Sequence, residues 1–222
     1  DCSSFTKGAR LYVAVAGGVR VPQKMGGRGT VLGSGFGGFG GRALRAGDCL
    51  EIEPVLQGAA AAKTWRLASP VPPVGRKETV EVRLVPGPDW AKLFKRMGPG
   101  GAERAVESRR FELSAKSDRM GLRLVGEAFT VPVAEGWSRP VVPGTVQLPP
   151  DGQPIILMAE GQTIGGYAQL GQVASADLPK LAQARPGAEI VFRITDLSTA
   201  QQSRLRLASD VARLRVGLSM QR

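Results

Sequence analysis

An all-β chain with short helices is what this sequence predicts, and three observations carry the reading. Glycine and proline are abundant, 30 and 16 among 222 residues, and both punctuate β structure. Several short segments alternate apolar and polar residues at a period of two, Thr79-Val-Glu-Val-Arg-Leu-Val most strictly. Long helical patterns are few, which argues against a bundle. Hydrophobic residues make up 42% of the chain, so a real core can form, and the length suits one large or two small domains.

Composition also narrows function. Lys and Arg total 30 against 19 Asp and Glu, a net charge of +11. The basic residues are scattered rather than clustered, and aromatics are only 5%. No nucleic-acid footprint or stacking platform is therefore expected. The chain has no histidine, which removes the commonest general base and metal ligand. Cys2 and Cys49 lack partners at metal-binding spacing, so no metal site is expected. Two cysteines make no disulfide framework, and a reducing cytoplasm is the expected compartment. No apolar run of ~18 residues or signal peptide is visible, so no membrane is expected.

The first elements follow in order. Leu11–Ala16 alternates large and small apolar residues, as a buried strand does, and Gly17-Gly18 ends it. Pro22 to Gly41 is a glycine-dense stretch, expected as a flexible rim loop beside a site. Within it Gly33-Ser-Gly35-Phe-Gly37-Gly38 fits G-x-G-x-x-G, but neither the helix nor the strand of a dinucleotide site is in place. Arg28 and Thr30, with backbone N–H groups, are left as an anion contact. Arg42 to Glu53 holds the turn Ala46-Gly-Asp, then Leu50 and Ile52 on one strand face. Gln57 to Pro73, rich in Ala and Pro, reads as a link.

Beyond the link, Thr79 to Val85 is a half-buried strand, turned by Pro86-Gly-Pro-Asp. Trp90 to Met97 has the spacing of a short amphipathic helix capped by Asp89. Pro99-Gly-Gly reads as a surface loop. Phe111-Glu-Leu and Leu122-Arg-Leu are short strands around Ser117-Asp-Arg-Met-Gly. Thr145–Leu148 and Ile155–Ala159 are strands flanking the Pro149-Pro-Asp-Gly turn. Asp177 caps a helix through Ala184, with Lys180 facing solvent and Pro186-Gly187 stopping it. Ile190, Phe192 and Ile194 form a strand face. Arg185-Pro-Gly-Ala-Glu-Ile-Val-Phe repeats the layout that begins at Arg42, a weak internal repeat suggesting two related β domains. Ser198-Thr-Ala-Gln is a capping-box pattern opening a last helix. Leu205, Ala208, Val211 and Ala212 make its apolar stripe, and Arg204, Arg206, Arg213 and Arg215 line the rest.

Polar groups with little structural excuse concentrate between Gly144 and Tyr167: Gln147, Asp151, Gln153, Gln162, Thr163 and Tyr167, with Gly165 and Gly166 permitting close approach. Asp118 can accept a proton and Arg119 can fork onto a carboxylate. An Asp–Arg pair locking its own turn is the simpler local alternative, and Pro-Asp-Gly is a common turn solution for Asp151.

Three motif sets resemble one family. Gly144-Thr-Val-Gln-Leu-Pro-Pro-Asp-Gly-Gln-Pro, Gln162-Thr-Ile-Gly-Gly-Tyr and Ala174-Ser-Ala-Asp-Leu-Pro-Lys-Leu form the first. Ser117-Asp-Arg-Met-Gly-Leu-Arg-Leu and Arg10-Leu-Tyr-Val-Ala-Val-Ala-Gly-Gly are the others. Together they resemble the biotin-dependent carboxyltransferase family, which includes the 5-oxoprolinase subunit-C proteins, the allophanate hydrolase subunit 2 group and the antagonist of the Kip kinase inhibitor (KipA). The resemblance implies tandem cyclophilin-like β-barrels, the first incomplete because the chain looks truncated at Asp1. The implied boundaries are 1–77 for the end of the first domain plus linker, and 78–222 for the second barrel with its C-terminal helix.

The function so implied is that of the subunit-C component of an ATP-dependent 5-oxoprolinase, a hydrolase acting on a cyclic amide. Its implied partners are a subunit-B-like (KipI-like) protein and a 5-oxoprolinase subunit-A protein, with ATP and Mg bound in the complex. Two alternatives come with it: a carboxyltransferase using biotin on a separate protein, and a non-catalytic regulator relieving inhibition of a histidine kinase. The candidate catalytic residues are Asp118, Arg119 and Asp151. The candidate substrate-binding residues are Ser117, Gln147, Gln153, Gln162, Thr163, Gly165, Gly166, Tyr167 and Arg28. Asp118, Arg119, Gln147, Asp151, Gln162, Thr163 and Tyr167 are expected to converge on one cleft holding a small amide-bearing acid. Arg119 would clamp its carboxylate, and Gln162 with Thr163 would read the amide.

Overall fold

The computed structural model describes residues 7–54, 74–75, 78–131 and 138–220. They fall into two compact units: Asp1–Arg10 with Ala68–Arg222, and Leu11–Leu67. The Gln57 to Pro73 link lies outside the described residues.

In the smaller unit, β1 (Thr30–Val31) and β2 (Phe36–Gly37) pair antiparallel around a 3-10 turn, Leu32–Ser34. The glycine-dense stretch thus holds a tight hairpin rather than a featureless loop. The strand expected at Leu11–Ala16 does not form, and Tyr12 is 85% exposed. Alternation buries a segment only where other strands flank it, and no described residue pairs with this one. Ile52 likewise makes only an isolated bridge to Val19, and Leu50 is exposed.

The larger unit is built on β3 (Thr79–Pro86), whose Val80, Val82 and Leu84 point inward. After the turn come α1 (Trp90–Leu93) and α2 (Gly101–Glu107). The expected Trp90–Met97 helix stops after one turn at Leu93, and Met97 is exposed. The stretch read as a surface loop opens α2 at Gly101, because Ala102 and Val106, one turn apart, bury against β11 and the core. Next are β4 (Phe111–Leu113), β5 (Gly121–Gly126), β6 (Arg139–Pro140), β7 (Thr145–Leu148), β8 (Ile155–Leu157), β9 (Ile164–Gly165) and β10 (Ala168–Val173). Then α3 (Leu178–Gln183), β11 (Glu189–Ile194) and α4 (Leu197–Ser219) follow.

Seven of these strands close a barrel in the order β10-β3-β11-β4-β5-β8-β7. The β3–β11 pair is parallel and the others are antiparallel. Closure removes the free edges that a sheet would otherwise leave. Phe111, Phe192, Leu84, Leu124, Val146, Leu148, Ile156 and Leu170 fill the interior. Phe129 stacks on Phe111 at 5.8 Å. β6 and β9 form a separate two-stranded ribbon.

Three helix caps differ from expectation. Asp89 and Asp177 stand at N-cap positions but give no side-chain cap to their helices. Both carboxylates are taken by arginines across the fold. Asp89 accepts from Arg139 at 2.7 and 2.8 Å and from the Gln169 N–H at 2.8 Å, tying the ribbon to the barrel. Asp177, fully buried, accepts from the Arg83 N–H, Nε and Nη2 at 2.7–2.9 Å. Lys180 is part-exposed and also paired: its Nζ lies 2.7 Å from Asp177. α4 opens at Leu197, its cap two residues earlier than Ser198: Asp196 accepts from the Thr199 N–H at 2.8 Å. That helix is 23 residues long, an exception to the short helices expected. Its apolar stripe is not buried; Leu205 is 70% exposed. No described helix is long and apolar enough to cross a membrane.

Candidate functional site

Strand alternation builds the site. On β7, Val146 and Leu148 join the barrel core, so Thr145 and Gln147 take the opposite face. On β8, Ile156 points in, and Ile155 and Leu157 point out. On β5, Leu122 and Leu124 point in, and Gly121 and Arg123 point out. The three strands are neighbours, with Arg123 opposite Ile155 and Ile155 opposite Gln147. One outward row therefore reads Arg123, Ile155, Gln147. Two strand spacings separate its ends by about 10 Å of backbone.

Around this row opens a cleft of about 290 Å³. Its lining is Asp118, Met120, Gly121, Arg123, Gln147, Ile155, Leu157, Gly161, Gln162 and Tyr167. The loops that complete it are held by backbone bonds: Met158 N–H to the Met120 carbonyl, and Glu160 N–H to that of Arg119, at 2.9 and 3.1 Å. The β6–β9 ribbon brings in the chain on either side of Gly165, since Val141 N–H donates to the Thr163 carbonyl at 2.9 Å.

Four of the seven residues expected to converge do so: Asp118, Gln147, Gln162 and Tyr167. Asp118 Oδ1 accepts from the Met120 and Gly121 N–H groups at 2.8 and 3.0 Å, which fixes its turn. Oδ2 has no hydrogen bond among the described residues. Gln147 is only 2% exposed, its Oε1 accepts from Gln162 Nε2 at 3.4 Å, and its own Nε2 is buried with no partner among the described residues. A buried amide donor left so costs free energy.

The other three do not line the cleft. Arg119 is drawn off by Glu160 at 2.5 Å on the exposed surface. Asp151 closes its own turn, accepting from the Gln153 N–H at 3.0 Å. Thr163 is exposed beyond Gln162, and its main chain serves the ribbon. Of the remaining candidates, Gln153 bridges the Gly126 N–H and carbonyl at 2.9 and 3.0 Å, and Ser117 Oγ accepts from the Arg123 N–H at 3.0 Å. Both are structural bonds. Gly165 is buried against Gln147, whereas Gly166 is exposed. Arg28 belongs to the smaller unit, where it lies 3.5 Å from Glu53.

Arg123 is the residue that sequence reasoning missed. It lines the cleft, and its guanidinium has no partner among the described residues. In the sequence it is an ordinary outward-facing charge in a strand. Only the register that sets it two strands from Gln147 distinguishes it.

Known proteins share this chain's pattern. The family model of the carboxyltransferase domain, subdomain A and B, matches residues 1–194. The subunit-C protein of the Escherichia coli 5-oxoprolinase is 36% identical over 201 residues, 89% of this chain and 60% of that protein. The protein of that name from Haemophilus influenzae is 35% identical over 87% of this chain and 58% of its own length. The chain thus spans less than two thirds of either relative. The crystal structure of the K. lactis urea amidolyase superposes with a TM-score of 0.70 at 22% identity, covering 88% of this chain and 12% of that one. That last likeness is one of fold.

Proposed function

Because this chain belongs to the carboxyltransferase-domain family, we propose that it serves as the subunit-C component of an ATP-dependent 5-oxoprolinase and binds 5-oxoproline in the barrel cleft. The observation that carries this is the Arg123–Ile155–Gln147 row. One end offers a guanidinium and the other the Gln147–Gln162 amide pair, with an apolar side chain between them. The substrate has the matching parts: a carboxylate, ring methylenes and a lactam carbonyl. Arg123 forks onto the carboxylate. Gln162 Nε2, paired to Gln147 Oε1 through one N–H, donates its other N–H to the carbonyl, and the free oxygen of Asp118 accepts the lactam N–H. A lactam is opened by attack on its carbonyl carbon. A donor fixed on that oxygen polarises the bond in the ground state and stabilises the oxyanion that follows. The residue best placed to move a proton is Asp118, in a chain without histidine.

ATP with Mg is proposed to act in the complex, held by the partners. Among the described residues no group of three His, Cys, Asp or Glu could hold a metal. The proposed partners are a subunit-B-like (KipI-like) protein and a subunit-A protein, and the proposed compartment is the cytoplasm. The carboxyltransferase alternative, with biotin on another protein, has less support, since the likeness to urea amidolyase is one of fold at 22% identity.

The test is 5-oxoproline-dependent ATP hydrolysis by the chain assembled with its partners. Arg123→Leu is expected to lower kcat/KM by about 10- to 100-fold, the range of a lost hydrogen bond to a charged group. Arg123→Lys should recover part of it, since the charge stays and the fork goes. Arg119→Lys should leave activity near wild type. Full activity in Arg123→Leu overturns the reading. An assembled complex with no hydrolysis, even with the wild-type chain, favours the regulator instead.

A further inference from the structure

The β6–β9 ribbon stands beside the cleft, and one ion pair fastens it to the barrel. The ribbon is only two residue pairs long, Arg139 opposite Gly165 and Pro140 opposite Ile164. A ribbon that short does not hold a position by itself. It adds little to the barrel core either, since Ile164 is 62% exposed. Arg139 Nη2 donates to both carboxylate oxygens of Asp89, at 2.7 and 2.8 Å. Asp89 is in turn fixed to the barrel, accepting from the Gln169 N–H of β10 at 2.8 Å. It stands at the N-cap position of α1 yet gives that helix no side-chain cap. Its carboxylate serves the ribbon instead.

Gln162 is the cleft residue that this fastening reaches. Val141, two residues after Arg139, donates its N–H to the Thr163 carbonyl at 2.9 Å, next to Gln162. Gly165, opposite Arg139, lies against the Gln162 amide: a Cβ there would stand 2.9 Å from Nε2. We propose that Asp89 and Arg139 are positioning residues, whose ion pair holds the ribbon so that Gln162 presents its free N–H to the substrate carbonyl. This rests on the reading of the cleft as the 5-oxoproline site. It adds to that site two residues outside the cleft lining. An ion pair that served the fold alone would act on stability and not through Gln162.

The experiment is a double-mutant cycle on 5-oxoproline-dependent ATP hydrolysis by the chain assembled with its partners. Arg139→Met keeps a long side chain and removes the charge. It is expected to lower kcat/KM about 3- to 10-fold, the range of one lost hydrogen bond. Gln162→Leu should lower it by about as much. The two together should lose no more than Gln162→Leu alone, because the ion pair acts through that amide. Arg139→Lys should recover most of the loss. The native pair sets one nitrogen against two oxygens, which an ammonium can also do.

Wild-type activity in Arg139→Met overturns the inference and leaves 5-oxoproline as the ligand. So does a double variant whose losses simply add, since the pair then acts elsewhere than at Gln162. A loss in Arg139→Lys as large as in Arg139→Met overturns the ion pair as the agent. If Arg139→Met does not assemble, Asp89→Asn takes its place in the cycle, keeping the shape and an acceptor for the Gln169 N–H. Failure of both to assemble shows a pair that serves folding and overturns the assignment too. A wild-type complex without 5-oxoproline dependence removes the reading beneath, and this inference with it.

Discussion

Two corners of the molecule have the same backbone and opposite surroundings. At Arg45–Asp48 the Asp48 N–H donates to the Arg45 carbonyl at 3.1 Å, with Gly47 at φ 91°. At Arg185–Ala188 the Ala188 N–H donates to the Arg185 carbonyl at 2.9 Å, with Gly187 at φ 85°. An alternating apolar stretch follows each. After the second corner it becomes β11, six residues paired with β3 on one side and β4 on the other, with Phe192 fully buried. After the first it makes one bridge, and Ile52 stays 52% exposed. The turn is encoded locally, while the strand exists only where neighbours on both sides accept its hydrogen bonds.

The largest expected effect tests that difference directly. Phe192→Ala removes a side chain packed against Phe111 at 5.9 Å, and about 3–5 kcal/mol of stability should go with it. The equivalent truncation after the other corner, Ile52→Ala, should move the unfolding free energy by less than about 0.5 kcal/mol, as for an exposed site. Urea denaturation measures both. A cost above about 2 kcal/mol for Ile52→Ala would mean that the two stretches share one kind of burial.

Charge separates the corners next. Asp177, at the start of the helix that leads to the β11 corner, is fully buried; burial pushes its carboxyl up, but bonds from Arg83 and Lys180 outweigh that and hold it below the usual range. Asp48 is held at about 2, chiefly by the Arg42 hydrogen bond and then by the Arg45 N–H. Both folded values are depressed. Stability from each is therefore complete above the ordinary carboxyl value near 4 and is lost as pH falls through the folded value. For Asp48 that window runs from about pH 4 to about 2. Asp177→Ala leaves the Arg83 N–H without its acceptor and the half-buried guanidinium with only Ser203, and should cost about 1–3 kcal/mol. Asp48→Asn should cost less, because the Arg42 guanidinium is part-exposed and the asparagine oxygen still accepts from it. Thermal melts from pH 7 down to pH 3 check this. The Asp177→Ala melt should fall less steeply with acid than wild type, and the Asp48→Asn melt should parallel wild type down to about pH 4.

The same contrast explains what the sequence made legible. β3, β7 and β11 were readable because alternation and flanking turns agree with their burial. Leu11–Ala16 carries as good a pattern and forms no strand, since a pattern does not reveal its partner. α2 was hidden by Gly100-Gly101, whose loop signal outweighed the Ala102–Val106 spacing. In the site, Gln147 was legible as an amide in an otherwise apolar strand. Arg119 was over-read because its partner Glu160 is distant in sequence. Arg123 could not be found without the β5–β8–β7 register. Asp89 and Asp177 misled for one reason: an aspartate before a helix is a cap unless a long-range arginine claims it, and here arginines claim both.

The smallest expected effect is also where the corners should agree. Gly47 and Gly187 each hold a positive φ, the conformation that position i+2 of a type II turn requires. For any residue with a Cβ, the left-handed region costs about 1–2 kcal/mol. That cost comes from the residue's own backbone, not from its surroundings. At Gly47 a Cβ would meet nothing within 4 Å, so Gly47→Ala isolates the strain. The stiffer unfolded chain of the alanine variant returns about 0.4–1 kcal/mol. The net loss should thus be about 1 kcal/mol at each corner, in contrast to the truncations that follow them. Equal losses for Gly47→Ala and Gly187→Ala by urea titration would show that the turn is a local device used twice. A loss at Gly187 exceeding that at Gly47 by more than about 2 kcal/mol would place the corner itself, and not just the strand after it, under the control of the barrel.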